Sequence, residues 1–332
     1  MPDLIRHPVP TWIPAFAEMT ILRYLIAGVI SIIQMKRLVL GTAQLGMSYG
    51  IANTSGRPDL PTVKSIIQNA WENGIQEFDT AQAYGKSEQL LGKVLNDLDI
   101  VNEARIITKL DPTLDYTDKT AILKALKTSV ENLGVKSIFG LMLHEENLLD
   151  LWKEGLHRIL MDIVDSGHVK HLGISVDLPE KAIQALETEN ISMVQLPASI
   201  LDKRFADAGV FQLSEDTGKQ IYIRSIFLQG LLLMNNEDLP AKMRFTVSIL
   251  KRFEKLVKEA GISKQTFALE YIKQSYPEAK IVFGVETLDQ LKNNLNSWER
   301  KLPLDLVNRI GEEFGYVDNR ILNPSLWHNC SG

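Results

Sequence analysis

From residue 35 onward the chain alternates between short, continuous apolar runs and longer stretches in which apolar residues recur every three or four positions. The runs fall at 37–43, 76–80, 105–110, 137–144, 169–176, 193–198, 220–227 and 280–285. A strand wet on one side would alternate apolar with polar; these do not, and continuous runs of this length predict parallel strands buried on both faces. Helical periodicity predicts helices over 61–72, 87–98, 117–133, 149–165, 179–187, 247–275 and 288–298, with a more polar stretch at 202–217. Gly74, Gly134, Gly167 and Gly218 stand where helices should stop before the next strand, because a left-handed residue closes the last turn. Eight strand–helix units predict an α/β fold of the (β/α)8 TIM-barrel type, for which about 250 residues is typical. One domain over 35–332 accounts for them, with a C-terminal tail. A doubly wound open sheet is the rival, weakened because no Gly-x-Gly-x-x-Gly follows any strand.

Residues 1–34 break the pattern. Pro2, Pro8, Pro10 and Pro14 occupy a stretch with no period, and the apolar run 21–33 is interrupted by Arg23 and Ser31. It is shorter than the roughly 20 residues a bilayer span takes, and no small-residue cleavage site follows. A membrane-surface helix, a partner-docking helix and a segment upstream of a native start at Met35 are the three readings. The last is preferred, because Met35-Lys36-Arg37 leads directly into the first strand, so 1–34 is expected to be a non-barrel extension.

Composition narrows the partners. The 332 residues are 45% hydrophobic and 23% charged, as in ordinary globular proteins. A net charge of -5, from 36 Lys+Arg against 41 Asp+Glu, argues against a surface built for nucleic-acid phosphates or anionic lipid. The sole cysteine, Cys330, permits neither an internal disulfide nor a multi-cysteine metal site, and fits a reducing, cytoplasmic setting. No metal is expected.

Three familiar motifs fail on inspection. Gly41 to Gly46 has P-loop glycine spacing, but Met47 stands where the lysine must be. His144-Glu145 opens like a metalloprotease helix, yet Leu148 replaces the second histidine. Gly173-Ile174-Ser175 begins a nucleophile elbow that Asp177 fails to close.

Position along the predicted strands is more informative. In a TIM barrel the chemistry sits at the C-terminal strand ends, where the loops share one mouth. Asp79, Lys109 and His144 each close an apolar run, and Tyr84 lies on the loop after Asp79. Taken singly, Asp79 with Lys109 reads equally well as a structural ion pair, and Tyr84 as a surface tyrosine. Charged residues at such places are costly to bury unless mutually satisfied, which predicts that they converge. A phenol beside an ammonium has its ionised form favoured, so Lys109 is expected to lower the pKa of Tyr84 from about 10 toward the range of a working acid-base group. His144 is suited to orient a carbonyl oxygen. Ser87 is expected to cap the following helix. His7, His157, His168, His171 and His328 show no partner pattern and are read as surface or loop residues, and Trp327 as packing against the barrel.

Asp79-Thr80-Ala81-x-x-Tyr84-Gly85-x-Ser87-Glu88, Thr108-Lys109 and the strand-end His144 resemble the Asp, Tyr, Lys, His tetrad of the aldo-keto reductase superfamily. The likeness starts at Leu40-Gly41-Thr42, runs to the carboxyl end, and takes in Gly173-Ile174-Ser175, Val194-Gln195, Arg224-Ser225, Leu228-Gln229-Gly230 and Gly284-Val285 with Asn294. It implies an NAD(P)H-dependent oxidoreductase that reduces an aldehyde, ketone or sugar carbonyl by hydride transfer, with Tyr84 as general acid and a small-molecule carbonyl substrate. It also implies that Thr42, Ser175, Gln195, Arg224, Ser225, Gly284, Gln290 and Asn294 contact the cofactor, NADP or NAD. Three departures stand out. Val176 replaces a common carboxamide-binding Asn, Arg224 replaces an aromatic nicotinamide cover, and residues 283–287 lack a basic group for a 2′-phosphate while Glu286 and Asp289 add negative charge. Two other functions draw on the same residues: a catalytically weak, cofactor-binding regulatory protein, and a lyase using Lys109 as a Schiff base. The loops 48–60, 111–117 and 234–242 and the tail after Lys301 are expected to set the substrate.

Overall fold

The computed structural model describes residues 35–298 and 300–328. The expectations for 1–34 and for Cys330 lie outside the described residues. Eight parallel strands close into a barrel in sequential order: β1 (Leu38–Gly41), β2 (Glu77–Asp79), β3 (Arg105–Lys109), β4 (Ile138–Leu143), β5 (Val169–Ser175), β6 (Met193–Pro197), β7 (Gln220–Arg224) and β8 (Lys280–Gly284), with β8 pairing back to β1. Each lies within a predicted run.

Strand periodicity sorts the side chains into two cores. Leu38, Leu40, Phe78, Ile106, Leu141, Leu143, Ile221, Ile223, Ile281 and Phe283 face outward into the large core beneath the helices. Val39, Ile107, Met142, Met193, Tyr222 and Val282 form a separate cluster that fills the barrel interior. Two residues further along each of these strands comes Gly41, Lys109, His144, Gln195, Arg224 or Gly284. The alternation that hides one residue in the barrel thus aims the next inward residue at the mouth.

The helices that cover the barrel follow the sequence closely. α1 (Leu60–Glu72) starts at Asp59, whose carboxylate accepts Thr62 N–H at 2.9 Å, and buries Val63, Ile66, Ile67 and Ala70, the spacing of one helical face. α2 (Ser87–Asp97), α3 (Lys119–Leu133), α4 (Leu156–Asp165), α5 (Pro179–Glu187) and α6 (Val210–Thr217) follow β2 to β6 in turn. Gly74, Gly134, Gly167 and Gly218 all have positive φ at the expected stops. Three stretches are more broken than their periodicity suggests. The 149–165 stretch becomes two 3-10 turns and then α4, separated at Gly155, where φ is 122°. The 202–217 stretch is split at Gly209. The 247–275 stretch divides into α7 (Val247–Ala260) and α8 (Lys264–Ser275), because Gly261 closes one helix in the left-handed region and Ser263 caps the next by accepting Thr266 N–H. α9 (Leu288–Ser297) and α10 (Leu304–Glu313) complete the shell.

His168 is exposed in the bend before β5, as expected, whereas His157 lies on α4 against Trp152, with ring centroids 5.4 Å apart, and His171 is a strand residue of β5, half-buried edge-on against Phe139 at 4.9 Å; the expectations for His7 and the His328 side chain lie outside the described residues. Trp327 is buried in the large core with Nε1 donating to the Arg320 carbonyl at 2.8 Å. No helix among the described residues is long and apolar enough to cross a membrane.

Candidate active site

Asp79 and Lys109 end adjacent strands and meet at the barrel mouth. Lys109 Nζ donates to Asp79 Oδ1 at 2.6 Å and to the Thr80 carbonyl at 3.0 Å, and Gln195 Nε2 donates to the same Oδ1 at 2.8 Å. All three side chains are buried. Behind them lies a hydroxyl network: Thr42 Oγ1 donates to the Asp79 carbonyl at 2.9 Å, Ser87 Oγ to the Thr42 carbonyl at 2.9 Å, and Thr80 Oγ1 to Ser87 Oγ at 2.9 Å. Ser87 therefore does not cap α2; Lys86 takes the cap position, and the serine side chain is turned inward to brace the mouth. Glu88 is braced in turn by Thr108 Oγ1 at 2.7 Å and Asn132 Nδ2 at 3.2 Å.

Tyr84 is held by close approach of two loops. Gly46 leaves no room for a side chain against the Tyr84 carbonyl and Ser87, and Gly85, with φ of 61°, sits against the Gly46 carbonyl. This presses the loop after β2 onto the turn after β1 and presents the phenol to the cavity. The Lys109 ammonium lies 5.2 Å from the centroid of the Tyr84 ring, and the His144 ring meets it edge-on at 5.7 Å. The four residues expected to converge do so.

The electrostatics correct one expectation. Burial, followed by the Asp79 charge, pushes the Tyr84 phenol well above its ordinary value, and Arg224 only partly opposes this. Lys109 does not produce the expected lowering because its charge is paired with Asp79 and lies over the ring face; burial holds Lys109 itself below the usual lysine value. Burial, with Lys109 and Arg224 nearby, pushes His144 down to about 3, so its imidazole is neutral near pH 7. His144 Nδ1 is buried without a hydrogen-bond partner among the described residues, an orphan of the kind a ligand or water satisfies.

A cavity of 630 Å³ runs from Asp79, Tyr84, Gln195 and Arg224 past Ser225 to Gly284, Gln290 and Asn294. Six of the eight residues expected to contact a cofactor thus share one wall. Thr42 is fully buried with its hydroxyl engaged, and Ser175 is buried beside Gln195 in the β5–β6 register; neither lines the cavity. Gly284 makes room for Gln44, whose amide fills the space a Cβ there would take. Val176, the departure just after β5, is buried, and its carbonyl accepts Arg224 Nη2 at 3.2 Å. Burial pulls Arg224 down, but Asp177, which accepts from the same guanidinium at 2.8 Å, together with Tyr49 and Tyr84, holds it above its ordinary value.

The loop after β7 carries backbone strain. Ser225, Leu228 and Gln229 have φ of 61°, 48° and 53°, a region non-glycine residues occupy at a cost of order 1–3 kcal/mol each. It is held by Ile51 N–H donating to the Gln229 carbonyl at 3.1 Å and by Gln229 Nε2 donating to Tyr49 Oη at 3.3 Å. Tyr49, Gln44, Asp238 and Gln265 also line the cavity and were not singled out from the sequence; Gln229, part of the likeness above, lines it too. Tyr49 and Asp238 fall within the loops expected to set the substrate, whereas none of 111–117 reaches the wall; Gln265 follows a helix break that apolar Ile262 conceals. Among the described residues no group of three or more His, Cys, Asp or Glu is placed to hold a metal ion.

The aldo/keto reductase family model matches residues 37–312. Among curated proteins the chain is similar to a pyridoxal 4-dehydrogenase of Microbacterium luteolum, 21% identical over 80% of this chain and 90% of that protein. It is also similar to a D-threo-aldose 1-dehydrogenase of a Pseudomonas species, 22% identical over 82% and 94%. Among solved structures, a glycerol dehydrogenase of Gluconobacter oxydans shares the fold at a TM-score of 0.69, with 21% identity over 87% of this chain and 93% of that one.

Proposed function

Because the chain belongs to the aldo/keto reductase family, whose members reduce carbonyls as oxidoreductases, we propose that it reduces a small aldehyde or ketone, sugars included, with Tyr84 as the proton donor. A reduced nicotinamide, NADH or NADPH, supplies the hydride. The observation that carries this reading is the meeting of a protonated phenol on the cavity wall with a neutral imidazole packed edge-on against it, just outside that wall.

Each residue has a separable task. His144, neutral, donates to the carbonyl oxygen and orients it. Tyr84, kept protonated by its surroundings, delivers a proton to that oxygen as negative charge develops there. Lys109 and Asp79 hold the phenol's surroundings rigid, and Gln195 ties Asp79 to the cavity wall. The amides of Gln44, Gln195, Gln290 and Asn294 and the Ser225 hydroxyl suit an extended ligand rich in polar groups better than a compact apolar one. The relatives named for an aldose and for glycerol favour a polyhydroxylated substrate. Lys109 has no exposed surface and does not line the cavity, which counts against a Schiff-base lyase.

Tyr84→Phe tests the reading directly. Nicotinamide binding, followed by fluorescence, should be retained, while turnover of a carbonyl panel falls by about 10²–10⁴, the usual worth of a positioned acid. Equal turnover in the two proteins would remove Tyr84 from the chemistry.

A further inference from the structure

The cavity's charges are distributed unevenly. Arg224 stands at the end beside Tyr84, and the remaining charged wall residues besides Asp79 are Glu286 and Asp238, with no Lys or Arg lining the far end. Glu286 is held in place: its own N–H donates to Gln290 Oε1 at 2.7 Å, and Gln290 Nε2 donates back to Glu286 Oε2 at 2.8 Å. Lys264, next in the chain to the cavity-lining Gln265, is committed to Glu254 Oε1 at 2.7 Å and to the Met234 carbonyl at 2.7 Å. Asp238 is steadied by Asn235 Nδ2 at 3.1 Å. Asp289, grouped with Glu286 on sequence grounds, is exposed and does not reach the cavity.

These observations bear on the nucleotide. If the reducing ring lies beside Tyr84, the adenosine ribose extends toward Glu286. A ribose diol can donate hydrogen bonds to a fixed carboxylate, whereas a 2′-phosphate brings up to two negative charges against it with no cation to compensate. We propose that this end of the cavity selects the diol and rejects the phosphate, so that the chain binds NAD(H) in preference to NADP(H), with Glu286 as the discriminating residue. The proposal rests on the nicotinamide reading above.

Equilibrium binding separates the two ideas without relying on turnover. The full chain is titrated with NADH and NADPH by fluorescence, and with ADP-ribose and its 2′-phosphate by calorimetry. The unphosphorylated ligand of each pair should bind at least about tenfold more tightly, since like charges brought together cost several-fold more than that in favourable cases. The gap should narrow at high salt. It should shrink in Glu286→Gln, which keeps the contacts to Gln290 but loses the charge, and invert in Glu286→Lys. Tighter or equal binding of the phosphorylated ligands, or a ratio unmoved by both substitutions, overturns the proposal and leaves the nicotinamide reading intact. Failure of both dinucleotides to bind overturns that reading and this one with it.

Discussion

The Asp79–Lys109 pair makes a quantitative prediction. Removing the cation in Lys109→Met leaves a buried carboxylate with Gln195 as its remaining donor, at 2.8 Å. Breaking a buried pair this way typically costs about 3–5 kcal/mol. The carboxyl can limit its loss by taking up a proton, which at pH 7 costs about 4 kcal/mol for a group of ordinary pKa near 3.9. The penalty is therefore about 4 kcal/mol, or about 6 °C in Tm for a chain of this size. The reverse change, Asp79→Leu, strands an ammonium that keeps one protein acceptor, the Thr80 carbonyl at 3.0 Å. It should cost a similar amount. The double variant should cost much less than the sum, because an apolar pair of similar volume roughly replaces a buried ion pair, with about 1 kcal/mol lost for the Gln195 amide left without its acceptor. Urea unfolding of all four proteins measures the coupling. Additive penalties would refute a tightly coupled pair.

Two further outcomes follow from the titrating groups. With Tyr84 held protonated and His144 neutral down to about pH 3, the rate of carbonyl reduction should stay flat across neutral pH, while alcohol oxidation, which needs the phenolate, should rise toward alkaline pH; a reductive profile with a midpoint near pH 7 would contradict this assignment. Glu270, pushed up to about 7 by burial against the opposing pull of Lys273, Lys301 and Arg37, retains its proton more tightly in the folded state. Its contribution is full at low pH and is lost as pH rises from the ordinary carboxyl range through about 7, so the wild-type Tm should fall relative to Glu270→Gln over that window.

The barrel was legible because parallel strands buried on both faces write themselves as unbroken apolar runs, and because Gly74, Gly134, Gly167 and Gly218 punctuate the intervening helices. Asp79, Lys109 and His144 were legible for the same reason: each ends such a run. What the chain order does not carry is where a charge is spent. Lys109 is near Tyr84, as anticipated, but burial and then the Asp79 charge push the phenol up where the ammonium was expected to bring it down. Nor does order reveal that Ser87 turns inward, since a serine opening a helix looks like a cap whichever way it points. The left-handed residues Leu228 and Gln229 have no sequence mark, because what holds them is burial of Leu228 in the large core and contacts of Gln229 with Ile51 and Tyr49, far away in the chain.

Glu77, two residues before Asp79 on β2, accepts from Lys280 at 2.7 Å, Arg105 at 3.3 Å and Tyr222 at 3.2 Å. These partners come from β8, β3 and β7, so the carboxylate acts as a hub tying strands across the barrel's closed base. Only one residue, Phe78, separates it from Asp79 along the chain, and that distance cannot stretch. The axial height at which Asp79 meets Lys109 is therefore gauged from the end of the barrel that no substrate visits, and the loops at the mouth are free to diverge without disturbing that reference.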